Sequence, residues 1–436
     1  MAEDPFIIET LGKATIENPI ARLGRVQFID EDDRILQQPF LKNLQSARDQ
    51  GITPASFPEA GPSRHIFFGP EGTRAAVVTC GGLCPGINSV VRAVVMHLWF
   101  RYGVKTIMGV RYGFQGLAKN SPWPLLALNP DKVVHYHEQG GSNLGSSRGA
   151  PPVEEMVATL KRHSINILFV VGGDGSMRGA LAISREIKKQ GQKIAVVGIP
   201  KTIDNDIPYV RRSFGFETAV SIASEAARAA HNEANGTPNG IGLVRLMGRH
   251  SGYIAAATSL ATAHANFCLV PEVDFAIDGE GGLLHLIEKR MQHASHTLVI
   301  VAEGAGQQYF KEEERERDAS GNLKPGNIGM LLRDRITAHF KEKKIPTSVK
   351  YIDPSYLIRS APANPADNLH CNRLAQNAVH AAMSGRTAML VGFWHGRMTY
   401  VPMTALEGQT QRIRPHGDLW FNVLETTGQP ERIGSV

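Results

Sequence analysis

The segment GIPKTIDNDI, residues 198–207, sets Lys201, Asp204 and Asp206 behind a proline and directly after the apolar run IAVVG. A turn at a strand end is satisfied by a single Asp or Asn. A lysine with two acids two residues apart suits a charged reaction centre instead. In an extended segment Asp204 and Asp206 point the same way, and two neighbouring carboxylates raise each other's pKa unless a cation separates them. One could then hold a metal while the other accepts a proton from a hydroxyl. Acidic capping of a following helix is the plain alternative, and it leaves Lys201 without a reason.

Other segments carry complementary groups. GGDGS, residues 172–176, surrounds Asp174 with Gly172, Gly173 and Gly175 and closes with Ser176. A nest of N–H groups facing one carboxylate is what a Mg²⁺–phosphate complex asks for; an ordinary Asp-Gly turn is the alternative, and lipid and NAD kinases use the same short pattern. GGLCPGIN, residues 81–88, opens a helix behind Gly81 and Gly82, where free N–H groups could meet an anion. It lacks the Gly-Lys-Ser/Thr of a Walker A loop, and a tight strand–helix turn explains it as well. MGRHSG, residues 247–252, brings Met247, Gly248 and Arg249 to a strand end, where an arginine fork fits phosphate. GSSRG, residues 145–149, offers Arg148 and Gly149; DPSYLIRS, residues 353–360, offers Tyr356 and Arg359. Salt bridges and loop solvation are the alternatives for these arginines. Together the segments supply two anion sites around a carboxylate pair, as phosphoryl transfer between two phosphorylated molecules requires.

The elements that must position these groups are short β-branched runs ending in glycine loops and followed by amphipathic helices. AAVVTC precedes GGLCPGIN, INILFVV precedes GGDGS, KIAVVGI precedes PKTIDND, IGLVRL precedes MGRHSG, and TLVIVA precedes EGAGQ. Continuous apolar strands alternating with helices predict an α/β fold with largely parallel sheets covered on both faces, doubly wound and in two lobes. Ligands in such sheets bind beyond the carboxyl ends of the strands, where all the unusual residues lie. Residues 1–70 differ: proline recurs at 5, 19, 39, 54, 58 and 62, and only short helical patterns occur. They read as an extension that wraps around or bridges subunits, or equally as a partly disordered tail. The charge run 311–326 reads as a solvated surface excursion.

With 436 residues, 42% hydrophobic and 20% charged, the composition is that of an ordinary soluble enzyme. The net charge of +6 is not clustered with aromatics, which argues against nucleic acid and suits small anionic substrates. Four cysteines are too few for a disulfide framework, no signal peptide opens the chain, and no apolar run is long enough to cross a membrane. A reducing, cytoplasmic setting is expected.

CGGLCPGIN, GGSNLGSSRG, VGGDGS, PKTIDNDI, GIGLVRLMGRHSG, VAEGAG and YIDPSYLIR occur in this order, and with them the chain resembles the 6-phosphofructokinase family over about residues 72–410. The resemblance implies a phosphofructokinase-like fold: a nucleotide-binding lobe from 71–215 and 358–410, a sugar-phosphate lobe from 216–357 and 411–436, and the 1–70 extension as an oligomerisation arm. It implies that Asp204 is the general base at the 1-hydroxyl of fructose 6-phosphate and that Thr202 supports the transferring phosphate. Asp174, helped by Asp206, binds Mg²⁺. Gly82, Arg148, Gly149, Gly173, Asp174, Gly175 and Ser176 hold ATP. Thr202, Ile203, Asp204, Met247, Gly248, Arg249, Glu303 and the stretch Tyr356, Leu357, Ile358, Arg359 hold the sugar phosphate, with Arg249 also stabilising transferring charge. A cytoplasmic homotetramer is implied as well.

Two positions bear on the phosphoryl donor. Pyrophosphate users resemble one another in an Asp after the metal Asp and a Lys before TIDND; this chain has Gly175 and Lys201. An Asp at 175 would crowd and repel the α-phosphate of ATP, whereas Lys201 suits either donor. ATP is therefore expected, as in the long plant and trypanosomatid branch, with a reversible pyrophosphate-dependent enzyme as the alternative. The chain departs from short bacterial enzymes at Gly240, where they carry a cross-subunit arginine; that contact is not to be assumed here, with Lys350 as a contributor from elsewhere. It also has Arg92 but Met96 where they use two effector-binding arginines. A non-catalytic sugar-phosphate-binding subunit would have no use for Asp174, Asp204 and Asp206 together.

Overall fold

A computed structural model describes residues 6–147, 149–316 and 323–434, which form two units. The first comprises residues up to 203, 207–215 and 360–410; the second comprises 204–206, 216–359 and 411 onward. Residues 204–206 and 358–359 thus group with the second unit, where the expected lobes had them in the first.

The first unit is built on a seven-stranded sheet in the order Arg397–Pro402, Met389–Trp394, Ala195–Pro200, Ile167–Gly172, Arg74–Thr79, Thr106–Val110, Leu126–Leu128. All pairings are parallel except those of the two edge strands. The period of two explains how continuous apolar runs serve two cores at once. Ala75, Val77, Phe169, Val171, Val197 and Ile199 pack with the helices Ile87–His97 and Pro365–Met383. Their neighbours Ala76, Val78, Leu168, Val170 and Val196 pack with Val153–Arg162 and Asp174–Lys189 on the other face. The unit is doubly wound, as the apolar runs predict.

Residues 6–70 fold onto this unit. Glu9–Thr10 pairs antiparallel with Arg386–Thr387, Ile16–Glu17 with His65–Ile66, and Arg34–Leu36 with Ser56–Pro58. Phe6, Ile20, Phe57 and Ile66 are buried in its two cores, so these residues are not a trailing tail. Of the charge run, 317–322 lie outside the described residues; Lys311, Glu312 and Glu313 are exposed, and Lys324 pairs with Glu316.

The second unit has a four-stranded, wholly parallel sheet in the order Phe267–Leu269, His296–Ala302, Gly240–Leu246, Ser348–Ile352. Ile241, Leu243, Val299 and Val301 face the helices Leu283–Met291 and Ile328–Glu342. Against the other face lies Phe216–Asn235, whose fully buried Ala219, Ala223, Ala227, Ala230 and Ala234 form a stripe small enough for close approach. A Cβ on Gly240 would stand 2.0 Å from the Ala234 carbonyl oxygen. The backbone at the end of that helix therefore excludes a side chain at 240, where the short enzymes carry arginine. Lys350, the expected contributor, lies 3.9 Å from Glu233, and Arg92 donates to the Val134 carbonyl. All four cysteines are free and buried, and no helix among the described residues is long and apolar enough to cross a membrane.

Candidate functional site

In the first unit the carboxyl ends of three adjacent strands converge. The helix after Ile167–Gly172 starts at Asp174, inside the GGDGS motif itself, with Gly173 as its N-cap. The expected glycine nest is therefore the first turn of a sixteen-residue helix, whose unsatisfied N–H groups supply the anion-binding potential. A Cβ on Gly172 would lie 2.3 Å from the Ser176 hydroxyl, so the strand end must be bare. Asp174 is part-exposed and its carboxylate meets Arg178 one turn on, a partner that the sequence reading missed. Gly175 is exposed, and the nearest atom to a Cβ built there is Arg178 Nη2, 3.8 Å away.

Lys201 turns inward. It is only 6% exposed, and its Nζ donates to the Gly82 carbonyl at 2.7 Å, tying PKTIDND to the first glycine loop. Gly81 has φ +82°, a left-handed conformation that favours glycine, and a Cβ there would lie 3.5 Å from the same ammonium. The 145–149 loop joins this cluster: the Ser146 hydroxyl donates to the Gly81 carbonyl, and Thr79 Oγ1 donates to the Gly145 carbonyl at 2.7 Å. Gly149 follows, whereas Arg148 lies outside the described residues. The Thr202 carbonyl accepts from the Ser213 hydroxyl. Gly81, Gly82, the 145–147 loop, Ser176 and Lys201 thus share one neighbourhood.

The chain crosses from one unit to the other inside the motif, since Lys201, Thr202 and Ile203 belong to the first and Asp204 to Asp206 to the second. Residues 203 and 204 lie in a turn, and Asn205 directly after it is left-handed at φ +55°. The extended geometry that would point Asp204 and Asp206 the same way is therefore absent, because asparagine's short polar side chain permits this conformation. Gln411 holds the turn from outside, donating its N–H to the Asp206 carbonyl at 2.9 Å and its side chain to the Asn205 carbonyl at 3.0 Å.

Around Asp204 the second unit gathers groups from three strand ends. The backbone N–H of Arg249 donates to its carboxylate, and the Ser251 hydroxyl donates to its carbonyl at 2.9 Å. Its pKa rises from 3.8 to about 7, first through burial, then through the charges of Asp206 and Glu303; the Arg249 N–H and the Arg359 guanidinium work in the opposite direction. Gly248 has φ +125°, and a Cβ there would lie 2.4 Å from the Ser251 carbonyl oxygen, so the tight loop presenting Arg249 requires glycine. Glu303 follows His296–Ala302, its N–H donating to the Leu246 carbonyl at 2.8 Å. Glu272 accepts the N–H groups of Gly252 and Ile413, pinning the 247–252 loop. Arg359 Nε lies 3.2 Å from the Met247 sulfur.

The helix Ser355–Ser360 divides the YLIR stretch. Tyr356 is 84% and Leu357 69% exposed, while Ile358 is fully buried. Met247 is buried too. The side chains of Met247 and Ile358 thus belong to the packing, whereas Arg249, Glu303, Tyr356 and Arg359 keep part of their surface accessible. Sequence reasoning missed Arg245 and Asp353. A lone arginine inside the apolar run IGLVRL, and an Asp-Pro-Ser sequence before a helix, were the available signals.

The arrangement has known counterparts. Residues 74–382 match the family model described as phosphofructokinase. The chain is 46% identical over 435 residues to an ATP-dependent 6-phosphofructokinase of Borreliella burgdorferi, covering 98% of this chain and 97% of that relative. It is 41% identical over 421 residues to the ATP-dependent 6-phosphofructokinase 7 of Arabidopsis thaliana, covering 96% and 85%. Its fold is similar to the crystal structure of a pyrophosphate-dependent phosphofructokinase from Nitrosospira multiformis, with TM-score 0.67, 20% identity and coverage of 84% and 94%.

Proposed function

As the chain belongs to the phosphofructokinase family, we propose that it transfers the γ-phosphoryl group of ATP to the 1-hydroxyl of D-fructose 6-phosphate, giving D-fructose 1,6-bisphosphate and ADP. The observation that carries this reading is the geometry of the buried Asp204 carboxyl, which accepts the Arg249 N–H and sits among the charges of Asp206, Glu303 and Arg359, with burial and the neighbouring acids raising its pKa. A general base works best with a pKa near the operating pH. Asp204 takes the hydroxyl proton as the sugar oxygen bonds to the γ-phosphorus and the bond to the ADP oxygen breaks. Arg249 stabilises the moving charge, and Thr202 supports the transferring group. Arg249, Glu303, Tyr356 and Arg359 hold the sugar phosphate. Gly82, Gly149 and the residues Gly173 to Ser176 hold the nucleotide phosphates.

Mg²⁺ binds typically through one or two carboxylates plus phosphate oxygens rather than in an all-protein cage. The described residues include no group of three or more His, Cys, Asp or Glu able to hold a metal ion, and Asp174, part-exposed at a helix N-terminus, is the type of single acid that a metal–phosphate complex uses. We assign Asp174 to Mg²⁺, which when bound neutralises charge on the phosphate oxygens, and the family resemblance adds Asp206 as its helper. The free buried thiols suit a reducing cytoplasm, and a homotetramer under allosteric control is proposed from the family resemblance, to be tested by sedimentation and by effector titration. The donor is tested directly: a coupled assay supplied separately with ATP and with pyrophosphate should turn over with ATP. Turnover with pyrophosphate alone would overturn the assignment.

A further inference from the structure

Arg245 interrupts a strand whose other members, Gly240 to Val244 and Leu246, are buried. The strand runs between His296–Ala302 and Ser348–Ile352, with Arg245 opposite Val301 and Val244 opposite Ile352. From this central position the side chain, 13% exposed, addresses both neighbours. One terminal nitrogen lies 2.8 Å from Glu303 and the other 2.7 Å from Asp353, each acid directly following a flanking strand. Asp353 is engaged a second time, its Oδ1 accepting the Ser355 N–H at 3.1 Å and hydroxyl at 2.6 Å. Those bonds hold the start of the helix that carries Tyr356 and Arg359.

One acid would suffice to neutralise a part-buried guanidinium. Two acids on one fork lock the ends of three strands in register, because charge-assisted bonds are short and directional. We infer that Arg245 is a positioning residue for the sugar-phosphate site: it sets Glu303 directly, and through Asp353 and Ser355 it sets Tyr356 and Arg359. This rests on the reading of those three residues as sugar-phosphate ligands. Lysine keeps the charge but offers a compact ammonium in place of the planar fork, so it cannot hold both acids in the same geometry.

The test uses the full chain with Arg245→Met, Arg245→Lys, Asp353→Asn and the Arg245→Met/Asp353→Asn double variant. Michaelis constants for both substrates, kcat and thermal midpoints are measured. Losing a charged hydrogen bond predicts that Arg245→Met raises KM for fructose 6-phosphate by about ten- to a hundredfold, with KM for ATP within about twofold. Arg245→Lys should recover part of this loss. The double variant should be little worse than Arg245→Met, because the two residues act through one contact. Equal rises in both Michaelis constants, a lysine variant no better than methionine, or single effects that multiply in the double variant would each overturn the proposal. If Arg245→Met does not fold, Asp353→Asn decides: a selective rise in sugar KM supports the proposal and an unchanged one overturns it. Glu303→Gln separates the underlying reading. An unchanged sugar KM there removes both the ligand assignment and the proposal, whereas a raised one beside an unaffected Arg245→Met removes the proposal alone.

Discussion

Replacing Asp204 by Asn should make the protein both less active and more stable. Asparagine keeps the shape of the side chain but neither ionises nor accepts a proton from a hydroxyl. Burial first, then Asp206 and Glu303, raise the Asp204 pKa from 3.8 to about 7, against the pull of the Arg249 N–H and Arg359. An acid with a folded pKa above its unfolded value loses stability as pH rises from the unfolded value through the folded one. At 1.36 kcal/mol per unit, the ionised carboxylate costs the native state about 4 kcal/mol at pH 8, a cost that the amide escapes. Asp204→Asn should therefore exceed the parent in unfolding free energy by up to about 4 kcal/mol at pH 8, with the gap closing toward pH 4. Its kcat should fall by about 10²- to 10⁴-fold, the usual worth of a general base, with only a modest change in sugar KM. Denaturant unfolding of the ligand-free, metal-free protein at several pH values, beside the coupled assay, measures both. Near-normal turnover would refute the base assignment; equal or lower stability at pH 8 would refute the burial argument.

Three further outcomes are expected. Gly175→Asp should fold normally, since a Cβ there meets nothing nearer than 3.8 Å; its added charge should raise KM for ATP about tenfold or more, and an unchanged ATP KM would remove Gly175 as a donor determinant. Gly240→Ala, overlapping the Ala234 carbonyl, should cost about 1–3 kcal/mol, and an unaltered thermal midpoint would contradict the packing described. In the first unit, burial lowers His97 and His370 to about 4, with Arg101 adding to the effect at His97 and the Arg212 and Arg373 charges at His370, while burial holds His380 well below its usual value. The unfolded chain takes up those protons first, so stability should fall as pH drops from 6.5 toward 4, by about 3 kcal/mol each for His97 and His370. His370→Gln should flatten that slope, as unfolding measured across this range would reveal.

The continuous apolar runs were enough to read the strands, because a parallel strand covered on both faces must be apolar on both whatever surrounds it. Gly-Gly-Asp-Gly-Ser, Met-Gly-Arg and the acids of PKTIDND were legible as chemistry because few structural roles need those residue types at strand ends. What the tertiary structure decided was the meaning of individual positions. Asn205 adopts a left-handed turn where alternation suggested an extended segment, and Asp174 opens a helix where a loop nest was expected. Lys201 reaches the carbonyl of Gly82, 119 residues away in sequence. Gly240 is glycine because the chain leaving Phe216–Asn235 doubles back so tightly that a Cβ there would overlap the Ala234 carbonyl, a packing fact that hydrophobic periodicity does not carry. Arg245 gained its meaning only when Glu303 and Asp353, 58 and 108 residues downstream, came to lie on either side of it. Periodicity is a property of neighbours along the chain, whereas charge pairing and steric exclusion depend on which distant segments folding brings together.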